Sequence, residues 1–256
     1  MNFFDNVFNI LTKYSGMLFK GLGYTMLIAL IGTVIGLLIG LCTGIIRTIP
    51  KSKSTPVAVI QKIVNIIINV YVEVFRGTPM MVQAMVIYWG FAFASGGNTL
   101  PLIPAGIFIV SINTGAYMTE IVRGGIISVD KGQFEAAYSC GMNHFQAMVH
   151  VVLPQVMRNI LPSISNEFVI NIKDTSVLNV IGVMELFYQA TKVQTMTYQI
   201  FETYLVICVI YFVMTFTITR LLRLVEKKLA GSNSYVICGS QSDPNAEIHV
   251  TEEVEE

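Results

Sequence analysis

Polar side chains interrupt two apolar stretches of the sequence at a helical spacing. Two triplets stand at positions i, i+4 and i+7, namely Asn113, Tyr117 and Glu120, and Glu167, Asn171 and Asp174. This spacing places each triplet on one face of a helix. Because ionisable and amide groups are costly within an apolar segment, they indicate either a pathway for a polar solute or a packed polar network.

These groups could bind a zwitterion, with carboxylates holding an ammonium group and amides donating hydrogen bonds to a carboxylate. The candidates for a solute pathway are Gln83, Asn113, Tyr117, Glu120, Asn171 and Asp174. A structural alternative stays open, in which the charged side chains pair with sequence neighbours. The possible pairs are Glu120 with Arg123, Glu73 with Arg76, and Asp174 with Lys173.

No residues have the spacing of a catalytic or metal site. His144 and His150 could suggest acid–base chemistry, but no Ser, Cys or carboxylate stands beside them at a catalytic or ligand spacing. The four cysteines form no CxxC pair: Cys42, Cys140, Cys208 and Cys238. The sequence therefore predicts neither a catalytic residue nor a bound metal.

Composition indicates that the elements carrying these residues lie in a lipid bilayer. The chain is 54% hydrophobic and 12% charged, with a mean hydropathy of +0.65. These values are those of a membrane protein rather than a soluble domain. The formal net charge is zero, so no basic surface indicates binding of nucleic acid.

The hydropathy pattern predicts an all-α membrane protein with five transmembrane helices, because about 20 apolar residues span a bilayer. The spans cover residues 21–46, 57–97, 102–127, 157–181 and 198–224. The second is too long for one perpendicular crossing, and Pro79 predicts a kink near Phe75. In the first, a glycine at every fourth position from Gly32 to Gly44 predicts close helix packing.

The distribution of basic residues predicts the orientation. Lys13, Lys20 and Lys192 fall beside one set of turns, whereas eleven other Lys and Arg residues fall beside the opposite set. The positive-inside rule then places the N-terminus outside and the C-terminus in the cytoplasm. Residues 1–15 are interpreted as an interfacial helix and residues 229–256 as a disordered, acidic cytoplasmic tail.

A polar cytoplasmic stretch at residues 130–153, here called the EAA segment after Glu135-Ala136-Ala137, predicts two short helices. Asp130 with Gln133, and Asn143 with Gln146, have the spacing of capping boxes. Gly141 suits a left-handed turn between the helices, and Pro154 predicts the end of the second. Apolar residues predicted to be exposed here indicate a partner protein: Phe134, Ala136, Ala137, Tyr138 and Met142.

The EAA segment resembles the EAA loop of ABC importer permeases in its motif and spacing. Four further stretches resemble the polar amino acid permeases of that class: VFRGTPMMVQ, NTGAYMTEIVRGGIISVDKGQ, LPQVMRNILPSISNEF and KDTSV. The resemblance covers about residues 16–228 and implies a type I importer (MetI-like) architecture. It also implies that coupling to an ATPase runs through Glu135, Ala136, Ala137, Gly141, Leu153 and Pro154.

The resemblance implies a transport subunit in a bacterial-type cytoplasmic (inner) membrane rather than an enzyme. The sequence has no G-x-x-x-x-G-K-[ST] loop, so ATP-Mg would bind to a partner. The implied partners are two ATP-binding cassette subunits, a second permease of the same or similar sequence, and an extracytoplasmic amino acid binding protein. The identity of the amino acid, and the choice between a homodimer and a heterodimer, stay open.

A different class of protein stays open beside this one. A secondary transporter or channel could use an ion gradient through Glu120 or Asp174. It would leave the EAA segment unexplained, and five spans are few for a self-contained secondary transporter. Intramembrane catalysis lacks a nucleophile beside the histidines, and a purely structural scaffold would not need ionisable groups in its spans.

Overall fold

The computed structural model describes residues 3–50, 52 and 54–230, with the side chains of 229 and 230 left aside. The α-helices are α1 (Phe3–Lys13), α2 (Ser15–Thr48), α3 (Thr55–Gly77), α4 (Met80–Ala94), α5 (Leu102–Ile127), α6 (Lys131–Ser139), α7 (His144–Ala147), α8 (Leu153–Asp174), α9 (Leu186–Thr197) and α10 (Ile200–Ala230). A π-helical turn (Met148–Val152) precedes α8, and a 3-10 helix (Thr175–Ile181) follows it. Most of the predicted tail lies outside the described residues.

The centre of the fold is the tight parallel pair of α2 and α5. Every fourth residue of α2 is a glycine that faces a side chain of α5, in the pairs Gly32–Val110, Gly36–Thr114, Gly40–Met118 and Gly44–Val122. A Cβ atom on Gly40 would lie 2.3 Å from the Met118 Cβ atom. Only glycine permits this approach, which confirms the packing role predicted for the stripe.

The long helices of the bundle are packed in both directions. Helix α8 runs opposite to α5, because its early residues Val156 and Ile160 face Gly125 near the end of α5, whereas its late residue Asn171 contacts Thr114. The α3–α4 segment also runs opposite to α5, and α10 runs parallel to α2. Of these helices in the described part of the chain, four are long and apolar enough to cross a membrane: 15–48, 55–77, 102–127 and 200–228.

The second predicted span is broken rather than kinked. Helix α3 ends at Gly77, and Pro79 is the extended residue before α4. Proline cannot donate the backbone hydrogen bond that would continue the helix. The prediction therefore located the distortion correctly, but the helix ends there instead of bending. Helix α3 alone is long enough to cross a membrane.

The fourth predicted span consists of α8 and the 3-10 helix that follows it. The left-handed Gly182, with a φ of +89°, ends this run. Helix α8 is absent from the apolar candidates because its sequence is rich in Asn, Ser and charged residues. A helix of this composition needs polar surroundings on its outward face.

Helix α1 packs on the bundle through one side. Ile10 is buried among residues of α2, α9 and α10, and the Asn6 amide donates a 3.0 Å hydrogen bond to Glu202 Oε1. Phe4 and Phe8 lie exposed on the other side. This amphipathic arrangement suits the predicted interfacial helix.

Candidate functional site

Asp130 is the N-cap of helix α6 in the EAA segment, as the sequence predicts, but only half of the predicted capping box forms. The Asp130 carboxylate accepts a hydrogen bond from the Gly132 N–H. Gln133 does not complete the box; its Oε1 atom accepts a 3.3 Å hydrogen bond from Gln155 Nε2 instead. Gln133 therefore ties α6 to α8.

The turn between α6 and α7 is the one predicted. Gly141 has a φ of +79°, a left-handed conformation that favours glycine. The capping box of α7 is complete, since the Asn143 side chain accepts from the Gln146 N–H and the Gln146 side chain accepts from the Asn143 N–H, both at 2.9 Å.

The prediction that Pro154 ends the second helix is wrong. The π-helical turn leads directly from α7 into α8, and the Leu153 N–H donates to the Met148 carbonyl. Pro154 sits in the first turn of α8, directly after the π-helical turn, where the backbone hydrogen-bond spacing changes from that of an α-helix. The chain is therefore helical without interruption from His144 to Asp174.

Several residues predicted to couple the chain to an ATPase are exposed together. Glu135, Ala136, Gly141 and Pro154 are exposed. Ala137 is only 5% exposed, so its predicted exposure is wrong. Leu153 is half-buried. Phe134 and Met142 are also half-buried, so the prediction that they are exposed is wrong.

The most exposed large apolar side chain of the EAA segment was not among the residues predicted from the sequence. Phe145 is 73% exposed at the start of α7, whereas Tyr138 is 43% exposed. The available signal was position, since Phe145 follows the N-cap Asn143 by two residues and so stands on an exposed helix start. Tyr138 is exposed as predicted, and Phe145 adds a further exposed apolar side chain to this segment.

Two of the candidate pathway residues lie together at the break between α3 and α4. Gln83 Nε2 donates to the carbonyl oxygens of Phe75 and Thr78, both at 2.9 Å. Asn113 Nδ2 donates to Gln83 Oε1 at 2.9 Å. Both side chains are buried, and their amide hydrogens satisfy carbonyls that the broken helix leaves without partners.

A second polar contact joins the three central helices. The Asn171 side chain of α8 donates to Thr33 Oγ1 of α2 at 2.8 Å and accepts from Thr114 Oγ1 of α5 at 3.0 Å. All three residues are buried. Their hydrogen bonds fix the register of α8 against the parallel pair.

Glu120 pairs as the structural alternative foresaw, and with one more partner. Its carboxylate forms ion pairs with Arg123 of α5 and with Arg47 of α2. The pairs expected between Glu73 and Arg76 and between Asp174 and Lys173 are not among the ion pairs of the described residues.

A polar cleft of about 270 Å³ opens beside Glu120. Its lining consists of Arg47, Asn69, Val72, Glu73, Arg76 and Glu120. Tyr117 stands next to it, with the Arg76 guanidinium 5.5 Å from the centre of its ring. The structure thus places Glu120 in the lining of a cavity between α2, α3 and α5, and Tyr117 against the lining residue Arg76.

Helix α8 carries the remaining candidates on two of its faces. Glu167 and Asp174 are half-buried, and Lys173 is exposed on the side of α10. Asp174 is not among the residues that line the cleft at Glu120. Within the described part of the chain, no group of three or more His, Cys, Asp or Glu residues could hold a metal ion.

Comparison with known proteins places this helical arrangement in a family. The model of the family described as "Binding-protein-dependent transport system inner membrane component" matches residues 54–231. The chain belongs to this family. Its members are the membrane components of ABC transporters, in which a separate subunit supplies the ATPase.

Two curated relatives are each similar over 159 residues. The putative glutamine transport system permease protein GlnP of Rickettsia bellii is 37% identical over 159 residues, covering 62% of this chain and 72% of that protein. The glutamine transport system permease protein GlnP of Escherichia coli K12 is 35% identical, covering 62% and 73%. The predicted resemblance to importer permeases is confirmed.

Solved structures agree with the fold. A chain of an amino acid ABC transporter crystallised with histidines has a TM-score of 0.74 and 38% identity, covering 89% of this chain and 99% of that one. An inward-facing structure of the MetNI methionine ABC transporter has a TM-score of 0.69 at 16% identity, covering 85% and 98%. The second likeness concerns the fold alone, which is the predicted MetI-like architecture.

Proposed function

We propose that this chain is the permease of an ATP-driven importer for polar amino acids in a bacterial inner membrane. Two relatives named as glutamine permeases and a structural neighbour from an amino acid transporter support this solute class. Helices α2, α3–α4, α5, α8 and α10 would form five spans with the termini on opposite sides, and the basic residues beside the turns support an outside N-terminus and a cytoplasmic C-terminus.

The observation that carries the proposal is the helical continuity between the EAA segment and the centre of the bundle. One run from His144 to Asp174 begins beside the exposed Phe145 and passes Asn171, which is bonded to α2 and α5. A displacement of its exposed end by a closing ATPase would therefore move a wall of the bundle. Such rigid-body motion is the usual basis of alternating access.

The proposed docking surface combines residues from the motif with residues from the structure. Glu135, Ala136, Gly141 and Pro154 would contact the ATPase directly. Ala137 is buried and Leu153 is half-buried. Both would act indirectly, by holding α6 and α8 in place. Phe145 would be the apolar anchor, because large exposed aromatic side chains dominate the energetics of such contacts.

The proposed pathway runs along the polar face of α8 and the cleft beside Glu120. Tyr117, Glu120 and Asp174 would line it. Gln83, Asn113 and Asn171 would shape its walls, since their amides are committed to protein partners. A second permease would close the pathway, because α8 is too polar to face lipid.

The complete importer would contain two ATP-binding cassette subunits, two permeases and an extracytoplasmic amino acid binding protein. ATP-Mg would bind to the cassette subunits. The rival proposal of a gradient-driven transporter predicts uptake without ATP and without such a partner.

Co-purification tests the proposal. The tagged chain is extracted from its native membranes in mild detergent, and the subunits that accompany it are identified by mass. We expect an ATP-binding subunit with the wild type and a loss of at least about tenfold in a Glu135→Ala, Phe145→Ala double variant, because hot-spot aromatics each contribute about 2 kcal/mol or more.

Phe93→Ala is the matched control. Phe93 is 91% exposed but lies at the end of α4, away from the EAA segment, so its replacement should leave the partner bound. Recovery of the wild-type chain without an ATP-binding subunit would contradict the proposal and favour the gradient-driven transporter.

A further inference from the structure

Three aromatic rings join α6 to the start of α7. Phe134 and Tyr138 stand one turn apart on α6, and His144 is the first residue of α7. The His144 and Phe134 rings are nearly parallel, with an interplanar angle of 9° and their centres 6.4 Å apart. The centres of the Phe134 and Tyr138 rings are also 6.4 Å apart. The two rings of α6 therefore meet the ring of α7 in one aromatic cluster.

A hydrogen bond fixes the His144 ring within this cluster. Its Nδ1 atom lies 2.9 Å from the Tyr138 hydroxyl oxygen. The other ring nitrogen, Nε2, is buried and has no hydrogen-bond partner among the described residues. The Tyr138 hydroxyl is therefore the one hydrogen-bond partner of this ring in the described part of the chain, and the orientation of the ring depends on it.

Few other side chains tie α6 to the helical run that follows, from His144 to Asp174. Among the described residues, two side-chain hydrogen bonds join α6 to this run. One is the bond between Tyr138 and His144, and the other is the 3.3 Å bond from Gln155 to Gln133. The second is longer than such bonds usually are. The stronger tie thus acts at the first residue of the run.

The place of this tie matters because the exposed docking residues lie on two different helices. Glu135 and Ala136 belong to α6, whereas Phe145 belongs to α7. The backbone link between the helices passes through Gly141, and a glycine turn is conformationally permissive. Side-chain contacts are therefore needed to hold α6 at a fixed angle to the run.

We propose that His144 is a positioning residue for the coupling between the ATPase and the permease. Its hydrogen bond to Tyr138 and its stacking on Phe134 hold α6 and the run together, so that a displacement of one moves the other as a rigid body. This inference rests on the proposed function. The other histidine of the EAA segment cannot replace His144, because His150 Nδ1 donates to the Gln146 carbonyl of its own run.

Uptake per ATP hydrolysed tests this role. The permease is reconstituted in vesicles with its ATPase and its binding protein, and uptake of L-glutamine, L-glutamate, L-histidine and L-arginine is measured beside ATP hydrolysis. For each solute that the wild type transports, Tyr138→Phe and His144→Phe should each lower the uptake per ATP by about fivefold, the ratio that corresponds to one neutral hydrogen bond. Both variants keep an aromatic ring in the cluster, so the yield of the assembled complex should equal that of the wild type.

The two substitutions should act through the same contact. Because each removes the same hydrogen bond, the double variant should lower the uptake per ATP no further than either single variant. Ser139→Ala is the matched control, since it also removes one hydroxyl group from α6. Ser139 Oγ donates to the Glu135 carbonyl of its own helix at 2.9 Å, so its loss should leave the uptake per ATP equal to that of the wild type.

The outcomes separate this inference from the proposed function. A wild type without ATP-driven uptake of these solutes would contradict the proposed function, and with it the inference. Wild-type uptake together with an unchanged uptake per ATP in His144→Phe would overturn the positioning role alone. Loss of the ATPase from Tyr138→Phe would also overturn it, since Tyr138 would then be a docking contact. Losses that multiply in the double variant would show that the two residues do not act through their shared bond.

Discussion

At the scale of single residues, the two buried amides show how a side chain suited to solute binding can serve the fold instead. Pro79 breaks the second crossing segment and leaves the Phe75 and Thr78 carbonyls at the end of α3 without helical partners. Gln83 and Asn113 supply the missing donors. An unpaired carbonyl at this depth would otherwise be costly.

Asn113→Leu should therefore destabilise the protein, whatever its effect on uptake. The change leaves Gln83 Oε1 buried without its donor, at a cost of about 1–3 kcal/mol. We expect a melting temperature lower by several degrees in detergent, measured by the fluorescence of a thiol- or tryptophan-based unfolding assay.

Ser111→Ala is the control for that substitution. Ser111 Oγ donates to the Ile107 carbonyl of its own helix, which the backbone already satisfies, so its loss should cost about 1 kcal/mol or less. Equal melting temperatures for the two variants would show that the amide contact at the helix break does not support the fold.

At the scale of elements, the parallel contact of α2 and α5 depends on the absence of side chains on one face. Gly40→Ala would place a Cβ atom 2.7 Å from the Met118 carbonyl carbon, so the helices would have to separate. Overpacking of this kind costs about 1–3 kcal/mol. We expect a lower melting temperature and a smaller yield of folded protein in size-exclusion chromatography.

Gly23→Ala on the same helix should have no such effect. A Cβ atom there meets nothing within 4 Å, and alanine is favoured over glycine in a helix by about 1 kcal/mol. If both variants behaved alike, close packing at the stripe would not be the reason for its glycines.

The sequence predicts the features that depend on residues close in sequence. It misses those that depend on the structure of the preceding or neighbouring segments. The α2 glycines, the Gly141 turn and the Asn143 capping box follow from spacing alone. The continuation through Pro154 does not, because a preceding π-helical turn lets α8 begin at a residue that otherwise favours a break. Hydropathy likewise predicted α8 to be an apolar span, whereas its sequence is rich in Asn, Ser and charged residues.

The candidate site divides in the same way. Spacing predicts that Asn113, Tyr117 and Glu120 share a face, and all three contact α3 or α2. It cannot tell which partner each will find, since Arg47 and Gln83 are distant in sequence. Phe145 was missed because exposure of a single aromatic residue depends on how α7 stands relative to α6.

At the scale of the whole molecule, the surface implies an assembly. Large apolar residues of α3 such as Ile63, Ile67 and Val70 are exposed, whereas the exposed residues of α8 include the charged Arg158 and Lys173. Lipid can cover the first surface but not the second. The α8 face and the EAA segment are thus the two places where the chain needs other subunits.

Transmission between those two places can be tested at the turn that orients them. Gly141 has open space around it and a φ of +79°, so only backbone conformation opposes its replacement. Gly141→Val should cost about 1–2 kcal/mol in that conformation and tilt α6 relative to the helix that begins at His144. We expect ATP hydrolysis by the complex to persist while amino acid uptake per ATP falls by at least about tenfold. Gly141→Asn keeps a residue that accepts the left-handed region and should retain uptake within about twofold. Uptake per ATP that is equal in the two variants would mean that the turn does not set the coupling geometry, and that the force from the ATPase enters the bundle through α8 alone.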